Sequence, residues 1–168
     1  MIQKEKFSMQ FIENIGPKID IELYSLEFNT KQIANEILSQ PLTKFSEEDT
    51  NFNPLPNSES LRFIKHISNF AFDKNFYLHS IWSHIHQPLE STNTHDHGRD
   101  GFSFVYYIQV PKNSGVFRVH LQQVYQYSII PKEGTLILFP SWLPHLVTKN
   151  LSNNIRISIS GNLFKKKT

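Results

Sequence analysis

The sequence predicts a mainly β fold, a sandwich or barrel buttressed on one side by helices that precede it in the chain. From about Tyr77 onward the chain runs in short segments rich in β-branched and aromatic residues, each ended by Gly, Pro or Asn. Ahead of them lie two stretches with apolar residues at helical spacing, and helices that precede strands instead of alternating with them argue against a doubly wound sheet. At 168 residues, 39% hydrophobic and 19% charged, the chain suits one globular domain with one core. Within that single domain, 1–168, residues 1–72 are expected to buttress the barrel, 73–164 to form it, and 165–168 to make a basic tail.

Between Phe7 and Phe28 apolar residues recur at short intervals around a Gly16-Pro17 break, which suggests one or two early strands. Asn29-Thr30 then reads as an N-cap. Ile33, Ala34, Ile37 and Leu38 follow at helical spacing, and Pro41 ends the run. The polar stretch Thr43 to Asn57, with Pro54 and Pro56, is a loop within the domain. Ser58 or Ser60 caps a second helix, whose broad apolar face is Leu61, Phe63, Ile64, Ile67, Phe70 and Ala71. The expected strands are Tyr77 to His86, Gly101 to Val110, Gly115 to Leu121, Val124 to Ile130, Thr135 to Phe139, His145 to Thr148 and Asn154 to Leu163.

Several functions are excluded by what is missing. No apolar run approaches the roughly 20 residues of a membrane helix, and the first residues lack the pattern of a secretory signal, so a cytoplasmic protein is expected. With no cysteine, disulfides, thiolate zinc sites, iron–sulfur clusters and cysteine nucleophiles are ruled out, and any metal must be held by N and O ligands. A formal charge of +2, part of it in Lys165, Lys166 and Lys167, does not suggest a nucleic-acid partner. Neither phosphate-binding glycine signature is present. The partner is therefore a substrate, small molecule or peptide, with a homodimer left open.

Histidines carry the strongest chemical signal. Six of the eight, His84, His86, His95, His97, His120 and His145, are interleaved with the strand-like sequence. In Thr94-His95-Asp96-His97-Gly98 the two imidazoles stand at i and i+2, on one side of an extended segment, where they can share a metal; Asp96 faces the other way. A third ligand must come from a distant strand. His145, after the turn Pro140-Ser141-Trp142-Leu143-Pro144, is the best candidate, reaching the pair across the barrel interior. A lone histidine is more often a surface or satisfied core residue, and His66 and His120 are read so. His84-Ile85-His86 is a competing pair, ranked as cavity lining or a substrate contact.

In Asn154-Ile155-Arg156-Ile157-Ser158-Ile159-Ser160 the side chains alternate: Arg156, Ser158 and Ser160 on one face, the isoleucines on the other. If the polar face looks inward, Arg156 is buried and needs an anion. A carboxylate gripped bidentately by Arg156 and hydrogen-bonded by Ser158 answers that need. The competing reading is an edge strand whose arginine faces water. Position favours the first, because Arg156 follows the third candidate ligand by one hairpin. Phe102, Trp82, Trp142 and Tyr125 are candidate pocket walls or core, while Phe104 and Tyr106 are read as core.

These residues together resemble a family, the 2-oxoglutarate and Fe(II)-dependent oxygenases of phages and bacteria, relatives of the prolyl-4-hydroxylase-like enzymes. The likeness covers roughly the second half of the chain. It is carried by Asn93-Thr94-His95-Asp96-His97, Ser103 to Ile108, Val110-Pro111 with Gly115, Gly134 to His145, and Arg156 to Asn162. It implies a double-stranded β-helix (jelly-roll, cupin-like) barrel, with iron held at His95 and His145 and 2-oxoglutarate held at its distal carboxylate by Arg156 and Ser158. The family usually has a carboxylate two residues after the first histidine. Here that position is His97, one unit of charge more positive, and Asp100, three residues on, is a candidate substitute carboxylate that the spacing does not place on the same face.

The resemblance then implies an enzyme with Fe(II), 2-oxoglutarate and O₂ that hydroxylates a substrate while 2-oxoglutarate is decarboxylated to succinate. His95, His97 and His145 would hold the metal, Arg156 and Ser158 the cosubstrate, and Tyr107 would hydrogen-bond it. A second reading is a cupin-type three-histidine metalloprotein, a dioxygenase or isomerase that does not use 2-oxoglutarate, suggested by Gly134, Pro140, His145 and Asn150. A third is an inactive barrel that binds a ligand. Dependence on 2-oxoglutarate separates the first from the other two.

Overall fold

The computed structural model describes residues 3–10, 18–40, 52–98, 101–121 and 125–166. Strands β1 (Gln3–Gln10) and β2 (Lys18–Ser25) come first, then helices α1 (Thr30–Leu38) and α2 (Glu59–Asp73). Eight strands follow: β3 (Phe76–His86), β4 (Thr92–His95), β5 (Phe102–Gln109), β6 (Phe117–Leu121), β7 (Tyr125–Ile129), β8 (Thr135–Pro140), β9 (His145–Val147) and β10 (Arg156–Lys165). The helices precede the eight strands as the periodicity predicts. Asn29 caps α1 by accepting from Gln32 N, and Ser58 caps α2 by accepting from Leu61 N, each at 3.1 Å.

The strands form a six-stranded sheet, β1-β2-β8-β5-β10-β3, and a four-stranded sheet, β4-β9-β6-β7, with every pairing antiparallel. From β3 to β10 the chain passes back and forth between the two sheets, which is the winding of a double-stranded β-helix, or jelly roll. Alternation in β5 and β8 explains why these strands read as almost unbroken apolar runs, since both of their faces are covered. Phe104, Tyr106, Leu136, Leu138, Ile157 and Ile159 face α1 and α2. Val105, Tyr107, Ile137 and Phe139 turn the other way and meet Phe117, Val119 and Ile129 of the second sheet.

Packing fixes the helices to this platform. Phe63 of α2 is fully buried and stacks on Tyr106 with ring centroids 4.6 Å apart, so truncation to Ala is expected to cost about 3–5 kcal/mol. The Glu36 carboxylate of α1 accepts from Gln32 Nε2, Glu59 N, Ser60 N and the Ser60 hydroxyl, closing the N-terminus of α2. Its burial alone would raise its pKa, but those bonds outweigh it and hold the carboxyl below its ordinary value. Among the described residues no helix is long and apolar enough to cross a membrane.

The Gly16-Pro17 break and Pro41 lie outside the described residues, as does most of the Thr43–Asn57 loop, although Phe52 within it is buried in the core. β4 is a strand that residue type does not announce, because Thr92-Asn93-Thr94-His95 has no apolar alternation. Of the expected tail at 165–168, the last two residues lie outside the described set. Lys165 still belongs to β10, and Lys166 lays its Nζ over the Phe72 ring, 3.3 Å from the centroid. His145 does not reach the histidine pair across the barrel interior, as set out next.

Candidate metal centre

Pairing of β4 with β9 sets His95 directly opposite His145 in the four-stranded sheet, so the third candidate ligand is a cross-strand neighbour. Their ring centroids are 4.3 Å apart, as the closely spaced positions of an antiparallel pair allow. His97 sits just past the end of β4, where its backbone N–H donates to Ser141 O at 2.8 Å, tying it to the turn that leads into His145. Its ring lies 4.9 Å from that of His95 and 5.2 Å from that of His145. The nearest ring nitrogens of all three lie within 4.8 Å of one another, close enough for one ion to gather them.

Hydrogen bonds decide which nitrogen carries the proton. His95 Nδ1 contacts Asn93 O and His145 Nδ1 contacts Leu143 O, both at 2.8 Å. A carbonyl can only accept, so each Nδ1 carries the proton and each Nε2 keeps its lone pair for a metal. Phe139 and Phe117 wall the His145 ring at 4.6 and 5.5 Å and fix its plane. Burial, together with charge on His95 and His97, pushes the His145 pKa down to about 3 against the opposing Leu143 bond, and burial with His95 takes His97 to about 4. Both are neutral at physiological pH, the form a metal requires. Asp96 is exposed, accepts from Gly98 N at 3.0 Å and is not in the cluster, although its charge opposes the lowering of His97 and His145. Asp100 lies outside the described residues.

One pocket joins this cluster to the inward face of β10. It holds about 450 Å³ of atom-free space, its mouth included, and its walls include His95, His97, His145, Tyr107, Arg156 and Ser158. Register brings Trp82, His84 and His86 of β3 alongside Ser160, Ser158 and Arg156 of β10. Trp82 Nε1 donates to His84 Nε2 at 2.6 Å, and burial, followed by the charges of His95, Arg156 and His97, lowers the His84 pKa to about 4. The pair ranked from sequence as cavity lining does line this cavity.

Arg156 is 1% exposed. Its Nη1 donates to Ser114 O, while Nε and Nη2 have no partner among the described residues. Burial works against its charge and lowers its pKa. Tyr107 is buried beside it with an unpartnered hydroxyl, and that burial raises its pKa despite the opposing Arg156 charge. A guanidinium, a phenol and the Ser158 hydroxyl thus converge in one desolvated recess, a donor set fit for a carboxylate. Arg156 does not follow His145 by a hairpin. β9 and β10 belong to different sheets, and the crossover at 148–155 delivers the arginine to the facing wall.

Of the four aromatic candidates, only Trp82 lines this pocket among the described side chains. Phe102 packs on Phe76, Trp142 is on the surface, and the Tyr125 side chain is outside the described set. His66 rests edge-on against Phe28, away from the site. Asn150, weighed from sequence as part of a cupin phrase, is fully buried and organises the crossover, donating through Nδ2 to His86 O and Asn154 O. Thr92 and Ser114 escaped sequence reasoning, because a lone hydroxyl in a polar stretch carries no signal until the pairing is known.

Residues 120–162 match a family model described as "Putative 2OG-Fe(II) oxygenase". That stretch holds His145, Arg156 and Ser158, but not His95 or His97. No curated protein matches the chain in sequence. Among solved structures, the chain is similar to a Pseudomonas putida prolyl-4-hydroxylase at TM-score 0.57 and 19% identity, over 69% of this chain and 71% of that one. It is similar to an oxidoreductase of the 2OG-Fe(II) oxygenase family from Burkholderia pseudomallei at TM-score 0.57 and 16% identity, over 68% and 62%. A Trichoplax adhaerens prolyl hydroxylase, solved with a hypoxia inducible factor peptide fragment, follows at TM-score 0.51 and 14% identity, over 64% and 57%. At these identities the likeness is one of fold, and the chain spans less than two thirds of the last two.

Proposed function

We propose that this protein is a 2-oxoglutarate- and Fe(II)-dependent oxygenase that hydroxylates a small molecule or peptide. One observation carries the reading: the buried, half-unpartnered guanidinium of Arg156 opens into the same pocket as a cluster of three imidazoles. The family match over the strands that bear His145 and Arg156 supports it. When bound, iron supplies the redox chemistry that couples loss of CO₂ from 2-oxoglutarate, leaving succinate, to insertion of one oxygen atom into a substrate C–H bond.

The protein's own part is to bind, orient and exclude water. His95, His97 and His145 hold the metal through ring nitrogens, with Asn93 and Leu143 carbonyls locking two of the rings. Arg156 and Ser158 hold the distal carboxylate, and Tyr107 donates its phenolic proton to it. Three imidazole ligands would bring no negative charge to the metal, one unit less than the carboxylate-bearing set usual in the family. The apolar walls of Val105, Phe117 and Phe139 keep the recess dry, which strengthens each polar contact. We place the protein in the cytoplasm, where 2-oxoglutarate and reduced iron are at hand.

The test is anaerobic titration of Fe(II)-loaded protein with 2-oxoglutarate, followed by admission of O₂. A visible charge-transfer band, then succinate, is expected. Iron that binds without any band on adding 2-oxoglutarate would transfer the protein to the cupin-type reading, which the histidine at position 97 favours.

A further inference from the structure

Buried polar atoms without partners gather around Arg156. Beside its own Nε and Nη2 and the Tyr107 hydroxyl, the Ser114 hydroxyl and His86 Nδ1 are also unpartnered among the described residues. His86 is 6% exposed and is the direct cross-strand partner of Arg156. Each buried donor left idle costs free energy, so such a group beside an unpaired guanidinium points to a shared ligand. Arg156 excludes a cation and invites an anion.

The rest of the His86 environment fixes how the ring would meet that anion. Its Nε2 lies 2.8 Å from Thr92 Oγ1, and its backbone carbonyl accepts from Asn150 Nδ2 at 3.1 Å, so ring and backbone are both tethered. Burial, then the neighbouring Arg156 charge, brings its pKa to about 3, so the ring is neutral and carries one proton. A threonine hydroxyl can donate as well as accept, which leaves the tautomer to be chosen by what Nδ1 meets.

We propose that His86 is a binding residue for the distal carboxylate of the keto acid: Thr92 donates its hydroxyl proton to Nε2, and Nδ1–H donates to the carboxylate held by Arg156. The inference rests on the oxygenase reading above and deepens it. The recess becomes a two-sided clamp, with a charged donor from β10 and a neutral one from β3, which selects keto acids bearing a second carboxylate. The first reading assigned only the β10 side and Tyr107 to this task.

The experiment uses protein loaded with Ni(II), which does not turn over, and measures dissociation constants calorimetrically for two probes. 2-Oxoglutarate engages the metal and the recess, while oxalate chelates a metal but has no distal carboxylate. His86→Leu should weaken 2-oxoglutarate by about tenfold or more, the worth of a hydrogen bond to a charged group, and leave oxalate unchanged. His86→Asn, whose amide nitrogen can occupy the place of Nδ1, should recover much of the loss. Thr92→Val keeps the ring but removes the proton given to Nε2, and should weaken 2-oxoglutarate in the same selective way even if His86→Leu fails to fold. Wild-type affinity in the Thr92 and His86 variants, with Arg156→Ala still deficient, would overturn the role of His86 and spare the oxygenase reading. Failure of the wild type to bind 2-oxoglutarate, or indifference of that binding to Arg156→Ala, would overturn the oxygenase reading and the clamp with it.

Discussion

His95 and His145 are a direct cross-strand pair whose rings are held alike, each by an Nδ1–H donated to the carbonyl two residues earlier in its own strand or turn. Because both constraints are local to the backbone, the two Nε2 atoms are preset before any metal arrives. His97 is held differently, through its backbone N–H to Ser141 O.

This difference predicts a hierarchy among the three. His95→Ala and His145→Ala should abolish stoichiometric metal binding, a larger effect than the about 10–100-fold that loss of an outer hydrogen bond costs a metal site. His97→Asp should retain the metal and change its preference. An all-imidazole set favours metals late in the divalent series, whereas a carboxylate suits Mn(II) and Fe(II) better. Competition titrations should therefore show the ratio of Ni(II) to Mn(II) affinity falling in His97→Asp, and an unchanged ratio would remove His97 from the ligand set.

Arg156 predicts a trade between stability and binding. A buried guanidinium with two nitrogens unpaired among the described residues burdens the empty protein, so Arg156→Met should leave the metal-free fold as stable as wild type, or more stable by about 1–4 kcal/mol. The same change should erase stabilisation by cosubstrate. Metal-loaded wild type should gain about 2.7 kcal/mol at a 2-oxoglutarate concentration one hundred times Kd, and Arg156→Met should gain nothing. Thermal melts with and without 2-oxoglutarate read both effects. A variant that is much less stable without ligand would mean that Arg156 serves the fold.

How much of this was legible depended on the range of the interaction. β10 declared both its faces, because alternation of Arg156, Ser158 and Ser160 with isoleucines is a local pattern that only a strand between a polar recess and an apolar layer requires. The Asn29 and Ser58 caps are equally local. The pairing of His95 with His145 is not, since it joins residues fifty apart through a short strand with no apolar alternation and an irregular register between Thr92 and His95. Ser114 was invisible for a stronger reason. It serves Arg156 through its carbonyl, which every residue possesses, and only the fold selects which one.

Four desolvated imidazoles make the metal-free protein acid-sensitive. His86 and His145 are lowered to about 3, and His84 and His97 to about 4, from an ordinary value near 6.5. In each case burial is the leading cause, so between about pH 6.5 and 4 the unfolded chain binds more protons than the folded one, and stability falls as pH falls. The contribution is whole above about pH 6.5 and is lost progressively below it. Urea denaturation of metal-free protein should show a lower midpoint at pH 5 than at pH 7.5. Equal midpoints would mean that these rings are hydrated.

Gly115 offers a way to disturb the anchor without touching a side chain that contacts ligand. Its φ is +90°, and a Cβ placed there would lie 2.3 Å from Thr148 O, 2.9 Å from Lys149 O and 2.8 Å from Arg156 Nη1. Gly134 also has a positive φ, +75°, but a Cβ there would have Leu26 O at 3.3 Å, and not Arg156, as its one neighbour within 4 Å. Both Gly→Ala changes carry the backbone penalty of the left-handed region, about 1–2 kcal/mol. Only Gly115→Ala must also displace the guanidinium from Ser114 O. It should lose stability beyond the Gly134→Ala control and weaken 2-oxoglutarate by about tenfold or more, with Ni(II) affinity unchanged. If the two variants bind 2-oxoglutarate equally well, the close approach of Gly115 does not set the position of Arg156.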